Sequence, residues 1–183
     1  KEREMKKFFF FFAGLAVAAS AANAAIFNVT LNNVDSNDPY GSPLNVVQTI
    51  NTAIANGQVV SIGWDVTLYA DAPSWLSELT VAFEDSSQAA GVFLAPGNGD
   101  DFSGTGSYSS GGLIDLVGLG LDFSLGADGL LRLEFFEGFD DFPSDWDGIW
   151  ISGTLSIEVL DVPAPSAFAL LGIAGFAAGR RRR

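Results

Sequence analysis

Hydrophobic and polar residues alternate along the chain between residues 62 and 159. The alternation is clear in residues 62–68, 79–83 and 131–135, and its longest run covers residues 149–159. In that run apolar residues or glycine occupy every odd position, and mostly hydroxyl or acidic residues lie between them. Because successive side chains of a strand point to opposite faces, this period of two predicts strands with one buried face.

Turn-forming segments separate these runs, and they predict short connections at residues 56–57, 71–73, 96–99 and 127–129. About eight short strands with glycine-rich turns predict an all-β fold, an antiparallel jelly-roll-like β-sandwich. The pair Asp128-Gly129 between two apolar runs predicts a β-hairpin.

Two segments lack a clear period. Residues 43–55 fit both a helix and a strand, and we favour the strand. Residues 101–112 are rich in glycine and serine, which is typical of a flexible loop.

From Trp64 to Val159 the strand rhythm also resembles the jelly-roll P-domains of proprotein convertases and their bacterial relatives. Residues 75–79 and 131–136 carry this resemblance. It implies a domain that lacks catalysis and binds calcium in its loops, although a fold by itself does not establish a function.

The N-terminal residues 1–24 have the three parts of a secretory signal peptide. Lys6 and Lys7 follow Met5, residues 8–19 are apolar, and Ala22 and Ala24 form a small-x-small cleavage site. We expect the natural start at Met5, insertion by the translocon as a helix, and cleavage by signal peptidase before Ala25.

The C-terminal residues 162–183 form a second targeting segment. It begins with Val162, Pro163, Ala164 and Pro165, continues with thirteen mainly apolar residues, and ends with Arg180, Arg181, Arg182 and Arg183. A helix of thirteen residues is about 20 Å long, which is shorter than the hydrocarbon core of about 30 Å. The segment is therefore expected to insert marginally, with its arginines on the cytoplasmic side.

A Pro-x-Pro motif, a short apolar helix and a terminal arginine cluster together resemble the PEP-CTERM sorting signal of Gram-negative bacteria. Ala164 replaces the glutamate of that motif. The resemblance implies a protein that is held transiently in the inner membrane, processed by an exosortase, and delivered to the cell surface or exterior. Many such proteins are associated with biofilm or exopolysaccharide.

Composition limits the partners and the kinds of site that the predicted sandwich domain, residues 25–161, can have. It contains twenty acidic residues and one basic residue, Arg132, so its formal charge is −19. This charge repels nucleic acid, and we expect no nucleic-acid partner. The whole chain contains no histidine and no cysteine, which excludes the Ser-His-Asp triad, the Cys-His dyad and imidazole metal sites. We therefore expect no enzymatic activity and no catalytic residues.

The densest group of polar side chains consists of Asp140, Asp141, Asp145 and Asp147. Oxygen-rich loops suit Ca²⁺, which takes six to eight oxygen ligands, so calcium is the one cofactor that the sequence suggests. The alternative is a solvated acidic turn that prevents edge-to-edge pairing of strands.

Three of the four tryptophans are candidates for stacking on carbohydrate: Trp75 after a proline turn, Trp146 in the acidic loop, and Trp150 on the predicted polar face of the last strand. Trp64 is in phase with the apolar face of its strand, which favours a core position. A glycoside hydrolase that uses Glu78, Glu134 or Glu137 is a remote alternative, because such enzymes need two acids across a cleft.

Overall fold

Ten β-strands and one helical turn make up the regular structure of residues 23–141 and 145–162, which the computed structural model describes. The elements are β1 (Asn23–Ser36), β2 (Val46–Asn51), β3 (Gln58–Ala70), β4 (Leu79–Asp85), β5 (Gly91–Leu94), β6 (Gly104–Ser109), β7 (Ile114–Asp115), α1 (Leu116–Leu119), β8 (Phe123–Ser124), β9 (Leu130–Glu137) and β10 (Gly148–Asp161).

The strands form two sheets. In the first sheet the order is β1-β10-β3-β6, and the short strands β7 and β8 also pair with β3. In the second sheet the order is β2-β9-β4-β5. All strand pairs are antiparallel, and the chain passes repeatedly between the sheets, which is the jelly-roll arrangement. The prediction of an antiparallel jelly-roll-like β-sandwich is confirmed.

The apolar face of each sheet is buried against the other sheet. Phe83, Phe135, Leu133 and Trp150 are fully buried there, and the rings of Phe135 and Trp150 meet edge to face at a centroid distance of 5.3 Å. Burial of one such side chain contributes about 1.5–3 kcal/mol, so the alternating pattern supplies the main stabilising term of a domain without disulfides.

Strand β10 contains an irregularity that changes which residues face inward. Its register against β3 shifts between Trp150 and Ser152. As a result Trp150 is inward-facing although it lies at an even position, whereas Leu155 and Ile157 are inward-facing at odd positions. The prediction that Trp150 lies on the polar face, available to carbohydrate, is wrong, because the shift places its side chain in the core.

Other local predictions have mixed outcomes. Residues 46–51 form β2, so the strand interpretation of residues 43–55 is confirmed. Residues 104–109 form β6 on the edge of the first sheet, so the loop prediction for residues 101–112 is wrong at its centre. Asp128-Gly129 does not join a hairpin, because β8 pairs in the first sheet and β9 pairs in the second.

Most of the targeting residues lie outside the described residues: Ala22, Pro163, Ala164, Pro165, Arg180, Arg181, Arg182, Arg183 and both predicted terminal helices. Ala24 and Ala25 belong to β1, where they pair with Leu160 and Val159 of β10. Within the described ranges, no helix has the length and apolar character needed to cross a bilayer.

Candidate functional site

Four loops meet at one end of the sandwich, which we call the loop end: residues 37–45, 71–78, 95–103 and 138–147, the last without residues 142–144. Side-chain hydrogen bonds join neighbouring loops. The Ser74 hydroxyl donates to Oδ2 of Asp141 over 3.1 Å, and the Ser77 hydroxyl donates to Oδ1 of Asp101 over 2.8 Å. These bonds join the loops 71–78, 95–103 and 138–147 to one another.

The loop end concentrates negative charge. Ten of the twenty acidic residues of the domain lie in these loops or at their border with β9: Asp38, Asp71, Glu78, Asp100, Asp101, Glu137, Asp140, Asp141, Asp145 and Asp147. The loops contain no lysine or arginine. Like charges at short range repel one another and raise the free energy of the folded state. A cation reduces this repulsion, so this end attracts cations.

Glu137 is the most unusual of these acids. It is 1 % exposed on the inward face of β9, and neither carboxyl oxygen has a hydrogen-bond partner. Burial raises the pKa of Glu137 to about 9. The Ser36 hydroxyl opposes this shift without forming a well-aligned bond, and the charges of Asp147, Glu78 and Asp141 increase it. The side chain is therefore protonated at neutral pH.

Other unpaired polar atoms gather in the same part of the chain. Across residues 23–141 and 145–162, the buried side-chain polar atoms that lack a partner belong only to Ser36, Asp38, Glu137, Asp140 and Trp150. Ser36 and Glu137 are the last residues of β1 and β9, and Asp38 follows β1 in the next loop. Asp140 lies in the loop between β9 and β10, and Trp150 lies near the start of β10. The Glu137 N–H donates to the Asp38 carbonyl over 3.1 Å, which brings two of these segments into contact. Buried unpaired polar atoms are rare in folded proteins, so their concentration here marks this region as the candidate site.

The four predicted calcium ligands are placed differently from one another. Asp147 is buried, and its Oδ2 accepts the Asp141 N–H over 3.0 Å. Asp145 is exposed and accepts the Trp146 N–H over 2.9 Å. Asp140 is half-buried. In the part of the chain that the structure describes, no three acidic side chains are grouped so that they could hold a metal ion. Calcium binding therefore stays a prediction.

The tryptophans divide between surface and core. Trp75 is 44 % exposed at the loop end, and Trp146 is half-buried there with its ring 6.3 Å from that of Tyr69. Trp64 packs partly against the core, and Trp150 is fully buried. Only Trp75 and Trp146 therefore remain as aromatic candidates for carbohydrate.

A second group of buried charges covers the outer face of the second sheet. The Arg132 guanidinium donates to Glu84 over 2.7 Å and to Glu134 over 2.5 Å. Glu134 also accepts hydrogen bonds from the Gly41 N–H over 2.6 Å and from the Asn45 amide over 2.8 Å. Burial by itself raises the pKa of Glu134, but the bonds from Asn45, Gly41 and Arg132 outweigh it and hold the pKa below its usual value.

Tyr40 extends this group towards the solvent. Its hydroxyl donates to Glu84, and its ring lies 5.0 Å from that of Phe93 and 5.4 Å from that of Phe136. Burial together with the bond to Glu84 raises the pKa of Tyr40 to about 12. The sequence pattern did not predict this group, although Arg132 and Glu134 are two residues apart and so lie on one face of the predicted strand.

The arrangement of the acids bears on the glycosidase alternative. Glu134 and Glu137 are three residues apart in β9, so they lie on opposite faces of the second sheet. Glu134 is also held by Arg132. These two carboxyls therefore cannot act together across one cleft.

A groove of about 310 Å³ lies elsewhere, over the first sheet. Its lining includes Asp65, Thr154, Ser156 and residues 109–113. The Ser110 hydroxyl is already bonded to the backbone of Trp64 and Gly112, so part of the polar lining is internally satisfied.

Comparisons with known proteins give no family for this chain. No family model matches it, and no curated protein matches it. Among solved structures, a chain of Desmodium yellow mottle tymovirus is 10 % identical, with 82 % of this chain and 95 % of that chain covered and a TM-score of 0.29. A chain from a Nora virus structure is 9 % identical, with coverages of 88 % and 63 % and a TM-score of 0.26. A chain of turnip yellow mosaic virus is also 9 % identical, with coverages of 88 % and 94 % and a TM-score of 0.25. Likeness at this level carries no information about function.

Proposed function

We propose that this chain is an exported, non-enzymatic surface or matrix protein that is sorted through its C-terminal segment and processed by an exosortase. The observation that carries the proposal is the pairing of Ala25, the first residue after the expected signal-peptide cleavage, with Val159 near the end of β10. The two targeting segments join the sandwich next to these paired residues. The loop end lies at the opposite ends of the same strands, where Ser36 pairs with Gly148.

The same proposal assigns the loop end a binding role towards exopolysaccharide. It combines the exposed ring of Trp75 with a surface of hydroxyl and carboxylate groups, which can hydrogen-bond sugar hydroxyls. A Trp75→Ala variant is expected to weaken retention of the protein on exopolysaccharide, with Val47→Ala as the control. Val47 is similarly exposed, at 46 %, but lies on β2. Equal loss in both variants would contradict the role of Trp75.

Sorting is tested by expressing the full chain in a host with its exosortase and in the same host with the exosortase gene deleted. We expect the released protein to lack residues after the Pro163–Pro165 region only when the exosortase is present, as measured by mass spectrometry. A variant with all four terminal arginines changed to serine is the matched control and should escape processing. Identical processing in both hosts would refute the proposal.

A second candidate function is binding of a divalent cation, with Ca²⁺ as the best match, at the loop end. The observation that favours it is the set of buried oxygen atoms without partners in Ser36, Asp38, Glu137 and Asp140. Hard cations prefer such oxygen ligands. Because the described residues hold no ready-made group of three acids, binding would require these side chains to draw together around the ion.

Thermal unfolding in the presence of millimolar Ca²⁺ tests this candidate, with NaCl at equal ionic strength as the control for screening. Free Ca²⁺ at 100 times its dissociation constant stabilises a binding protein by about 2.7 kcal/mol. Glu137→Gln should abolish the stabilisation, and Asp65→Asn, which makes the same carboxyl-to-amide change at an exposed position of the first sheet, should retain it. The absence of a calcium-specific shift in the unaltered chain would exclude the site.

A further inference from the structure

Strand β1 forms one edge of the first sheet. It pairs with β10 on one side, and no strand among the described residues pairs with its other side. It is fourteen residues long, whereas the other outer strands β2, β5 and β6 have four to six residues. In an antiparallel edge strand, alternate residues direct both N–H and C=O away from the sheet, so β1 presents the longest row of unpaired backbone groups in the sandwich.

This edge lacks the features that normally prevent pairing between chains. Natural edge strands carry lysine, proline, bulges or inward-pointing charges. Residues 23–34 contain no charged residue, no proline and no glycine. The pairing with β10 is regular from Asn23 to Asn32, and only at Asn33, with a φ of 48°, does the strand become irregular. In exported copies, which are expected to begin at Ala25, a straight edge of eight residues, about 26 Å long, is therefore available.

The distribution of charge over the domain favours a second copy of this chain as the partner of this edge. The domain carries a formal charge of −19, so most contacts between two copies would bring acidic side chains together. The uncharged edge is a surface on which two copies can meet with their acids held apart. The side chains of Asn28, Thr30 and Asn32 are exposed along it, and Ile26 is 56 % exposed. Amide and hydroxyl groups are self-complementary, because each can both donate and accept hydrogen bonds.

We infer that β1 of one copy pairs antiparallel with β1 of a second copy, so that the first sheets of two sandwiches form one continuous sheet. A two-fold axis perpendicular to the sheet relates the copies, and the same edge serves both partners. This inference goes beyond the proposed function, since it concerns how exported copies associate and does not depend on the exosortase.

Single cysteines test the contact, because the full chain contains none of its own. Asn28→Cys, Thr30→Cys and Asn32→Cys place a thiol along β1, and Thr105→Cys and Ser107→Cys place one on the exposed positions of β6, the opposite edge. After mild oxidation of the purified full chain in detergent, at least one β1 variant should form a covalent dimer and neither β6 variant should. Equal cross-linking through β6, or none through β1, would overturn the inference.

Added charge provides a second measurement in a chain that still folds. Asn28→Asp with Thr30→Asp should raise the dissociation constant of the dimer at least tenfold in sedimentation equilibrium, since like charges would face each other across the pair. Thr105→Asp with Ser107→Asp adds the same charge on β6 and should leave association unchanged. Dimerisation of the unaltered chain should strengthen with salt, because screening reduces repulsion between the acidic domains. A chain that stays monomeric at all salt concentrations contradicts the inference.

Discussion

Glu134 and Glu137 lie three residues apart in β9 and are 0 % and 1 % exposed, yet their pKa values shift in opposite directions. Glu134 accepts bonds from Arg132, Asn45 and the Gly41 N–H, and its pKa lies below the usual value. Glu137 has no hydrogen-bond partner, faces other acids, and has a pKa of about 9. Burial disfavours the charged form of both side chains, so the available donors decide which of them is ionised.

This contrast in hydrogen bonding assigns Glu134 a structural role and makes Glu137 the candidate functional residue. The Glu134 group is complete, because Arg132 of the same strand supplies its cation and Asn45 and Gly41 of the loop 37–45 supply its other donors. The Glu137 group is incomplete, and its unpaired oxygens lie where four loops meet. Satisfied hydrogen bonds hold the Glu134 side chain in one conformation, whereas the unpaired oxygens around Glu137 can still bind a ligand.

The largest effect is expected when the cation of the complete group is removed. Arg132→Leu leaves Glu84 and Glu134 buried without a counter-charge, so the free energy of unfolding should fall by about 3–5 kcal/mol in urea titrations. Adding Glu84→Gln and Glu134→Gln to this variant should recover part of the loss. No recovery in the triple variant would show that Arg132 acts through packing rather than charge.

Replacing Glu137 should raise the free energy of unfolding, whereas replacing Arg132 should lower it. The folded state retains the Glu137 proton up to its pKa of about 9, whereas the unfolded state releases it near pH 4.5. The folded state therefore holds more protons between these values, and the stability contributed by this group is lost as pH rises from 4.5 to 9. Glu137→Gln does not titrate and should gain up to about 3 kcal/mol at pH 7.

The measurement for Glu137→Gln is the free energy of unfolding at several pH values from 4 to 9. The unaltered chain should lose stability across this window relative to the variant, and the two curves should meet near pH 4. Parallel curves would show that Glu137 is ionised in the folded protein, and the contrast with Glu134 would then disappear.

A smaller loss is expected when one donor to Glu134 is removed. Asn45→Ala deletes an amide that donates to Glu134 over 2.8 Å and to the Pro39 carbonyl over 3.0 Å. Hydrogen bonds to a charged group contribute about 1.5–3 kcal/mol, and we expect a loss in this range in denaturant titrations. Asn98→Ala, at an exposed position, is the control and should be neutral within about 0.5 kcal/mol.

The smallest effect concerns the outer part of the same group. Tyr40→Phe removes the hydroxyl that donates to Glu84 and retains the ring contacts with Phe93 and Phe136. A single net hydrogen bond contributes about 1 kcal/mol, so stability at neutral pH should fall by this amount. Tyr69→Phe, whose hydroxyl bonds the half-exposed Asp71, should lose less. A larger loss in Tyr69→Phe would contradict the importance of the Arg132 group.

Individual elements show how far local pattern predicts this fold. β4 and β9 are strands where the period of two predicts them. The prediction that only one face is buried is wrong for β4, because all seven of its residues are buried. β6 has no apolar period. It is a strand because β3 offers hydrogen bonds to residues 104–109, a property of its partner rather than of its own sequence. The Asp128-Gly129 turn was located correctly, but the sheets to which its flanking strands belong depend on long-range pairing.

The amino-acid sequence by itself determined that the chain folds as an antiparallel sandwich, because period-two burial is a local property, and that its domain is strongly acidic without histidine or cysteine. Tertiary structure alone decided that Trp150 is buried, that Arg132 is shared by two glutamates, and that Glu137 faces inward among unpaired oxygens. These outcomes depend on one register shift and on strands that are far apart along the chain. The charge state of a buried acid is set by neighbours that only long-range pairing supplies.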